Sequence, residues 1–453
     1  MRIRPLTPAT VVAELAAVRP PAESSREIAE VVARLAADVR ARGDVAVVEA
    51  TRRFDWPEAR VDTLAVPEAE LEAAYAALDP ELLRALELAR DNCTFFHRHE
   101  IVPDWEDVGA QGQTLGIRRL PVDRAGLYVP GGHGSYASTV IMNSVPARVA
   151  GVDEAIVCTP PGPDGQVNSS VLAAAHLMGI RQVFRVGGAQ AIVAMAYGTE
   201  TIPRVDVICG PGNAYVTEAK RQVYGSVGID SLAGPSEVLI VADSTARATW
   251  VAADMLAQEE HGSGAQALLV ADSERLCLEV ADALEMLRTG GCAGGAPGVC
   301  EPPGVCEPPG SAEHLYAFYA APGEDFLTVA ASAVNSYAPE HLEIHAADAR
   351  GFLGRVKSAG AIFIGSRTPT AFGDYIAGSN HVLPTGGSAR FSSPLSVDTF
   401  VRKSSYVEMT AEAVRVLTPS LARVADSEGF AFHRVSAELR AAAAEGGARP
   451  PCE

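Results

Sequence analysis

From residue 125 to 270 the sequence repeats one phrase: a short β-branched run, a glycine-rich turn, then a helical stretch. Ala125-Gly126-Leu127-Tyr128-Val129 leads into Pro130-Gly131-Gly132 and a helix through Val140 and Met142. Ala155-Ile156-Val157-Cys158 precedes the helical run around Val171–Ala175. Gln182–Val186 ends at Gly187-Gly188, and Val205–Cys209 ends at Gly210-Pro211-Gly212. Glu237–Val241 and Ala267–Val270 flank one long helix. Parallel neighbours need long crossovers, so this alternation predicts an α/β fold of mostly parallel sheets with helices on both faces.

The preceding hundred residues are Ala-, Leu-, Glu- and Arg-rich with helical spacing, as in Ile28–Leu35. Pro67 and Pro80 mark helix starts, where a missing N–H costs nothing. A long helix closes at Phe95-Phe96-His97-Arg98-His99; its two histidines face different ways on a helix and make a poor metal pair. At about 100–200 residues per domain, 453 residues give two to four domains.

With 37 Lys+Arg against 56 Asp+Glu the net charge is −19, which repels phosphate backbones, and no Lys/Arg run supplies a basic patch. This argues against nucleic acid as a partner. No segment approaches the roughly 20 apolar residues of a membrane span, and Met1–Val18 lacks the apolar core of a signal peptide. Eight cysteines are too sparse for a disulfide scaffold. The expected compartment is the cytoplasm, with thiols reduced. Gly-Val-Cys-Glu-Pro-Pro at 298–303 recurs at 304–309; with Cys292, Cys300 and Cys306 it lacks paired zinc-ligand spacing and reads as an exposed loop.

Three groups of residues suggest chemistry. Gly132-x-Gly134-x-x-Ala137 follows a strand, opens a helix, and has Asp153 near the offset of a ribose-binding acid, a loose dinucleotide fingerprint. Gln258 and His261 lie three apart at a helix end, and Asp374 and His381 follow a strand at 361–364; oxygen and imidazole donors suit zinc. Ala338-Pro339-Glu340-His341 puts a carboxylate and an imidazole side by side near what reads as a proline-marked helix start, a candidate acid–base pair.

Taken in order, these segments closely resemble the L-histidinol dehydrogenase family. The resemblance runs through Tyr128–Gly132, Met142–Ala147, Val186–Ile192, Gly210–Val216, Ala233–Val238, Gln258–Gly262, Ala338–Glu343, Gly373–Tyr375, Asn380–Thr385, Phe391–Val397 and Glu428–His433, nearly the whole chain. It implies a zinc-dependent, four-electron oxidation of L-histidinol to L-histidine through an aldehyde with two NAD, closing histidine biosynthesis. Carried over by motif, Gln258, His261, Asp374 and His433 are the zinc ligands, and Tyr128, Gln190 and Asn213 contact NAD. Glu340 and His341 are the acid–base pair. Ser236, His381 and Glu428 join the zinc ligands and His341 around the substrate.

The resemblance also implies a homodimer, with Glu428 and His433 completing the partner's site. The expected architecture is two Rossmann-like parallel-sheet domains, one inserted in the other. Residues 1–25 form a helical segment, 26–120 with 237–379 one discontinuous domain, 121–236 the NAD-contacting domain, and 380–453 the C-terminal dimerisation arm. Between 288 and 330 the chain departs from the family, with His314–Tyr319 standing where a hydrophobic strand is expected; an edge or surface should absorb the change. Two alternatives remain: a paralogous zinc/NAD dehydrogenase of another polyol or sulfonated diol, and a non-catalytic zinc- or nucleotide-binding scaffold. The run Thr385–Pro394 favours the histidinol branch.

Overall fold

A computed structural model of the chain describes residues 1–20, 25–131, 136–262, 264–289 and 314–445. The Gly132/Gly134 fingerprint and the Cys/Pro repeat lie outside the described residues. The chain forms two compact units. One comprises Met1–Glu100 and Val122–Phe400, the other Ile101–Pro121 and Val401–Glu453.

The first unit holds two parallel sheets. Its six-stranded sheet has the order Arg2–Leu6, Leu315–Ala320, Gln266–Ala271, Glu237–Ala242, His341–His345, Ala361–Ile364. The central strands read as unbroken apolar runs because both faces are covered. Leu239, Val241, Leu268 and Val270 point into a core shared with the helices Val11–Val18 and Phe326–Tyr337. Their neighbours Val238, Ile240, Ala267 and Leu269 point the other way, onto the helices Ala248–Glu259 and Glu274–Arg288. A side-chain period of two thus feeds two cores from one sheet.

The five-stranded sheet has the order Gln182–Arg185, Glu154–Thr159, Arg124–Tyr128, Val207–Cys209, Gly228–Ile229. Leu127 and Val157 face one core and Ile156, Cys158 and Phe184 the other. The helices Arg26–Arg42 and Asp44–Phe54 pack through Val32, Val39 and Val47 on this sheet, and Pro80–Arg98 packs on its opposite face through Leu86, Ala89 and Cys93. These helices thus share a core with the five-stranded sheet, within the same compact unit as 237–379. Helical amphipathy shows that a face is buried, not which sheet buries it.

Three local expectations change. The N-terminal segment is not purely helical: Arg2–Leu6 is a strand, and helix begins only at Val11. Leu315–Ala320 is itself a hydrophobic strand, and it lies inside the sheet because Arg2–Leu6 takes the edge. Finally, Pro339 follows a helix end instead of marking a start. The helix Phe326–Tyr337 stops at Ala338, whose φ of 49° is left-handed, and strand pairing begins at His341.

The second unit is an antiparallel sheet, Val401–Met409, Gln113–Pro121, Trp105–Val108, with the helices Ala411–Glu428 and Ala431–Glu445 packed together. Among the described residues no helix is long and apolar enough to cross a membrane.

Candidate active site

In the five-stranded sheet the first strand in sequence, Arg124–Tyr128, lies at the centre, and later strands are added on either side of it. Crossovers therefore leave in opposite directions and open a crevice at the carboxyl ends of Arg124–Tyr128 and Val207–Cys209, the usual ligand position of such sheets. A cleft of about 1700 Å³ occupies this position, lined among others by Tyr128, Gly131, Pro160, Gly188, Gln190 and Asn213. The structure thus gathers the three expected NAD contacts, Tyr128, Gln190 and Asn213, at one cleft.

Each of the three is held by its own partners. The Tyr128 hydroxyl accepts the Gly188 N–H at 3.0 Å, and burial pushes its phenol well above the ordinary range. Gln190, 2% exposed, donates through Nε2 to Asp55 Oδ2 at 3.1 Å. Burial raises the Asp55 carboxyl to about 6, against an opposing hydrogen bond from Gly187. Asn213 caps the helix Ala214–Val223, accepting the N–H groups of Tyr215 and Val216. The cleft floor is close-fitting: a Cβ on Gly131 would lie 2.4 Å from Pro160 Cγ. Backbone this bare, at the N-terminus of Gly188–Tyr197, suits a phosphate-bearing cofactor.

The second cluster sits at the opposite, amino-terminal end of the six-stranded sheet. Ser236 immediately precedes the strand Glu237–Ala242, and Glu340 immediately precedes His341–His345. Gln258 Nε2 donates to Ser236 Oγ at 2.8 Å, and Ser236 Oγ donates to Glu340 Oε2 at 2.7 Å. The Glu237 N–H adds a second bond to the same oxygen at 2.9 Å. His341, 2% exposed, has Nδ1 3.5 Å from Glu340 Oε2 and Nε2 3.6 Å from Asp374 Oδ1. Burial disfavours the charged ring, but the two carboxylates outweigh it and hold His341 up at about 9.

Asp374 lies in the short helix Thr370–Tyr375. Burial works to raise its carboxyl, yet His341, His381 and His261 together keep it below the usual range. His381 donates through Nδ1 to the Asp374 carbonyl oxygen at 2.9 Å, and its Nε2 lies 3.3 Å from the Thr139 hydroxyl. Burial lowers its pKa. His261 follows the helix Ala248–Glu259 in an exposed turn.

Tested against a zinc ion, these residues fit. Asp374 is a buried anionic oxygen donor that feels the charge of His261, and the Gln258 amide nitrogen is already committed to Ser236, which leaves its oxygen. Glu428 and His433 belong to the other unit and are exposed there. Glu428 ends the helix Ala411–Glu428, and the His433 ring packs 5.1 Å from Phe430.

Sequence reasoning missed Asp55, Thr139, and the group Asp254, Glu343 and His345. Nothing local distinguishes Asp55 or Thr139. The alternation His341-Leu342-Glu343-Ile344-His345 did carry a signal, since period two places three ionisable side chains on one strand face. Reading the proline as a helix start concealed it.

Comparison with known proteins gives the same picture. A model of the histidinol dehydrogenase family matches residues 18–290 and 320–441. A histidinol dehydrogenase of Synechococcus sp. is 48% identical over 418 residues, covering 92% of this chain and 91% of its own length. One from Mesorhizobium japonicum is 45% identical over 419 residues, covering 92% and 94%. The crystal structure of histidinol dehydrogenase from Elizabethkingia anophelis superposes with a TM-score of 0.88 at 30% identity, covering 98% of this chain and 99% of that one. Fold and sequence together make this an enzyme of the dehydrogenase class. The chain belongs to the histidinol dehydrogenase family.

Proposed function

We propose that the enzyme catalyses the last step of histidine biosynthesis, the zinc-dependent oxidation of L-histidinol to L-histidine through L-histidinaldehyde with two NAD. The observation that carries this reading is the contact chain Gln258–Ser236–Glu340, together with His341 held between Glu340 and Asp374. The names of the relatives, histidinol dehydrogenases over nine-tenths of the chain, support the choice of substrate.

An alcohol carbon releases hydride readily only as its hydroxyl proton leaves, and His341 is the base placed to take it. The aldehyde must then gain a water before a second hydride can depart. Glu340, its Oε2 fixed by Ser236 and the Glu237 N–H, accepts the proton of that water through its carboxylate. Zinc, held by Gln258, His261, Asp374 and His433, would bind the substrate imidazole and amine and offset the carboxylate charge that keeps His341 protonated. NAD, at Tyr128, Gln190 and Asn213, would accept one hydride in each oxidation.

Ser236, His381 and Glu428 complete the substrate contacts. In this reading Glu428 and His433 come from a partner subunit, so the active form is a homodimer, and its compartment is the cytoplasm. The four described cysteines, Cys93, Cys158, Cys209 and Cys277, are buried and unpaired, as a reducing compartment requires.

The test is NADH formation from limiting L-histidinol with excess NAD, before and after chelation. Two NADH per histidinol, abolished by chelator and restored by zinc, is the expected result. A single NADH overturns the four-electron reading, and none with zinc bound favours another alcohol as substrate.

A further inference from the structure

One buried ionisable cluster in the first unit takes no part in this chemistry. Leu342 and Ile344 face the core with Val11–Val18, so Glu343 and His345 face the opposite side, where the helix Ala248–Glu259 packs and brings Asp254 to meet them. One ligand atom from each of Asp254, Glu343 and His345 lies within 4.8 Å of the others. His345 Nε2 is 3.2 Å from Glu343 Oε2 and 3.6 Å from Asp254 Oδ2. We propose that Asp254, Glu343 and His345 form a second divalent-cation site, separate from the Gln258, His261 and Asp374 set, that takes zinc or a similar transition-metal ion.

Charge is the first argument. The Glu343 and His345 side chains are 0% and 1% exposed, that of Asp254 only 15%. Among the described residues, no Lys or Arg forms an ion pair with either carboxylate; His345 is their one ionic partner. Two buried carboxylates this close cannot both stay charged beside a single imidazole: burial and the Glu343 charge raise the Asp254 carboxyl to about 8, so without an ion the pair holds a proton. A divalent ion offsets both.

The donors are the second argument. Glu343 is oriented from behind: its Oε1 accepts both the N–H and the hydroxyl of Thr370 at 2.7 Å, which turns Oε2 toward the cluster. Such outer hydrogen bonds are what fix a carboxylate ligand in place. The His345 ring is aimed into the cluster through Nε2, and its Nδ1 is buried without a hydrogen-bond partner. One nitrogen and two carboxylate oxygens are a zinc-type donor set, and the partly exposed Asp254 leaves a path for an ion and a coordination position for water.

The ion would act as a staple. Asp254 lies one turn before Gln258 on the same helix face, and Glu343 lies two residues after His341 on the same strand face. Closing this triad therefore fixes the helix and the strand that carry the two halves of the Glu340 contact chain.

The experiment loads the full-length protein with zinc, removes excess metal by desalting and counts zinc per chain. Two equivalents are expected for the wild type and one for Asp254→Asn, with Glu343→Gln as a second variant should Asp254→Asn fold poorly. His261→Ala should also retain one equivalent, and the His261→Ala/Asp254→Asn double variant none. Folding of each is checked by circular dichroism. Wild-type zinc content in a folded Asp254→Asn, or no zinc in a folded His261→Ala, overturns the proposal. Failure of the active-site metal assignment looks different: His261→Ala then matches the wild type while Asp254→Asn still loses one equivalent.

Discussion

Ser236 Oγ donates to Glu340 Oε2 at 2.7 Å while accepting the Gln258 amide N–H at 2.8 Å. One hydroxyl thereby links a residue with catalytic potential to a candidate metal ligand, and its hydrogen is fixed in direction by the amide on its other side. Glu340 is held on one oxygen and free on the other.

That asymmetry predicts how Glu340→Gln behaves. The amide can keep a hydrogen bond from Ser236 but cannot take a proton from water. Aldehyde oxidation should slow by about 10²–10⁴-fold, with alcohol oxidation affected far less. Single-turnover measurements starting from histidinol and from histidinaldehyde separate the two, and equal slowing would remove Glu340 from the hydration step.

His261→Ala should lose zinc and activity with little change in fold, because the residue sits in an exposed turn beyond its helix. Metal analysis and circular dichroism on the same sample decide this. Undiminished zinc, with the second site separately disabled, would exclude His261 as a ligand.

Asp55 sets a pH dependence of stability. Burial raises its carboxyl to about 6, so folding favours the neutral form. Its contribution is therefore fully present below about pH 4, the ordinary aspartate value, and is lost as the pH rises through about 6. Asp55→Asn should melt at a higher temperature than the wild type at pH 8, with the gap closing toward pH 4. A constant gap across that range would contradict the assignment.

Tyr337 is 1% exposed and donates its hydroxyl to Gln266 Oε1 at 2.8 Å; Gln266 in turn donates to Val18 O at 2.6 Å. Tyr337→Phe strands the buried Gln266 oxygen. Denaturant unfolding should show a loss of about 1–3 kcal/mol, and an unchanged midpoint would mean that the oxygen finds another donor.

The α/β class and most of its elements were legible because they depend on local patterns. Apolar runs such as Leu239–Val241 and Leu268–Val270 need only a covered sheet. The assembly of the elements was less legible. Arg2–Leu6, with two arginines and Pro5, does not read as a strand, and an edge position is what permits it. The expected NAD contacts fall at strand carboxyl ends, where topology alone would place a ligand. Ser236, Glu340 and His341 instead cluster at amino-terminal strand ends, a position that motif resemblance can suggest and strand periodicity cannot. Pairs such as Asp55–Gln190 and Asp254–His345 join distant segments, and no spacing in the sequence encodes them.

The edge strand Arg2–Leu6 has a consequence for how the protein is made. Its parallel partner is Leu315–Ala320, which leaves the ribosome long after it does. The first strand must therefore wait, unpaired, until about 300 residues have followed it and the five-stranded sheet is already made. Docking it is a late, long-range event in synthesis. Until then its backbone N–H and C=O groups have no place in the sheet, so the order of synthesis is the reverse of the order in which this edge is closed.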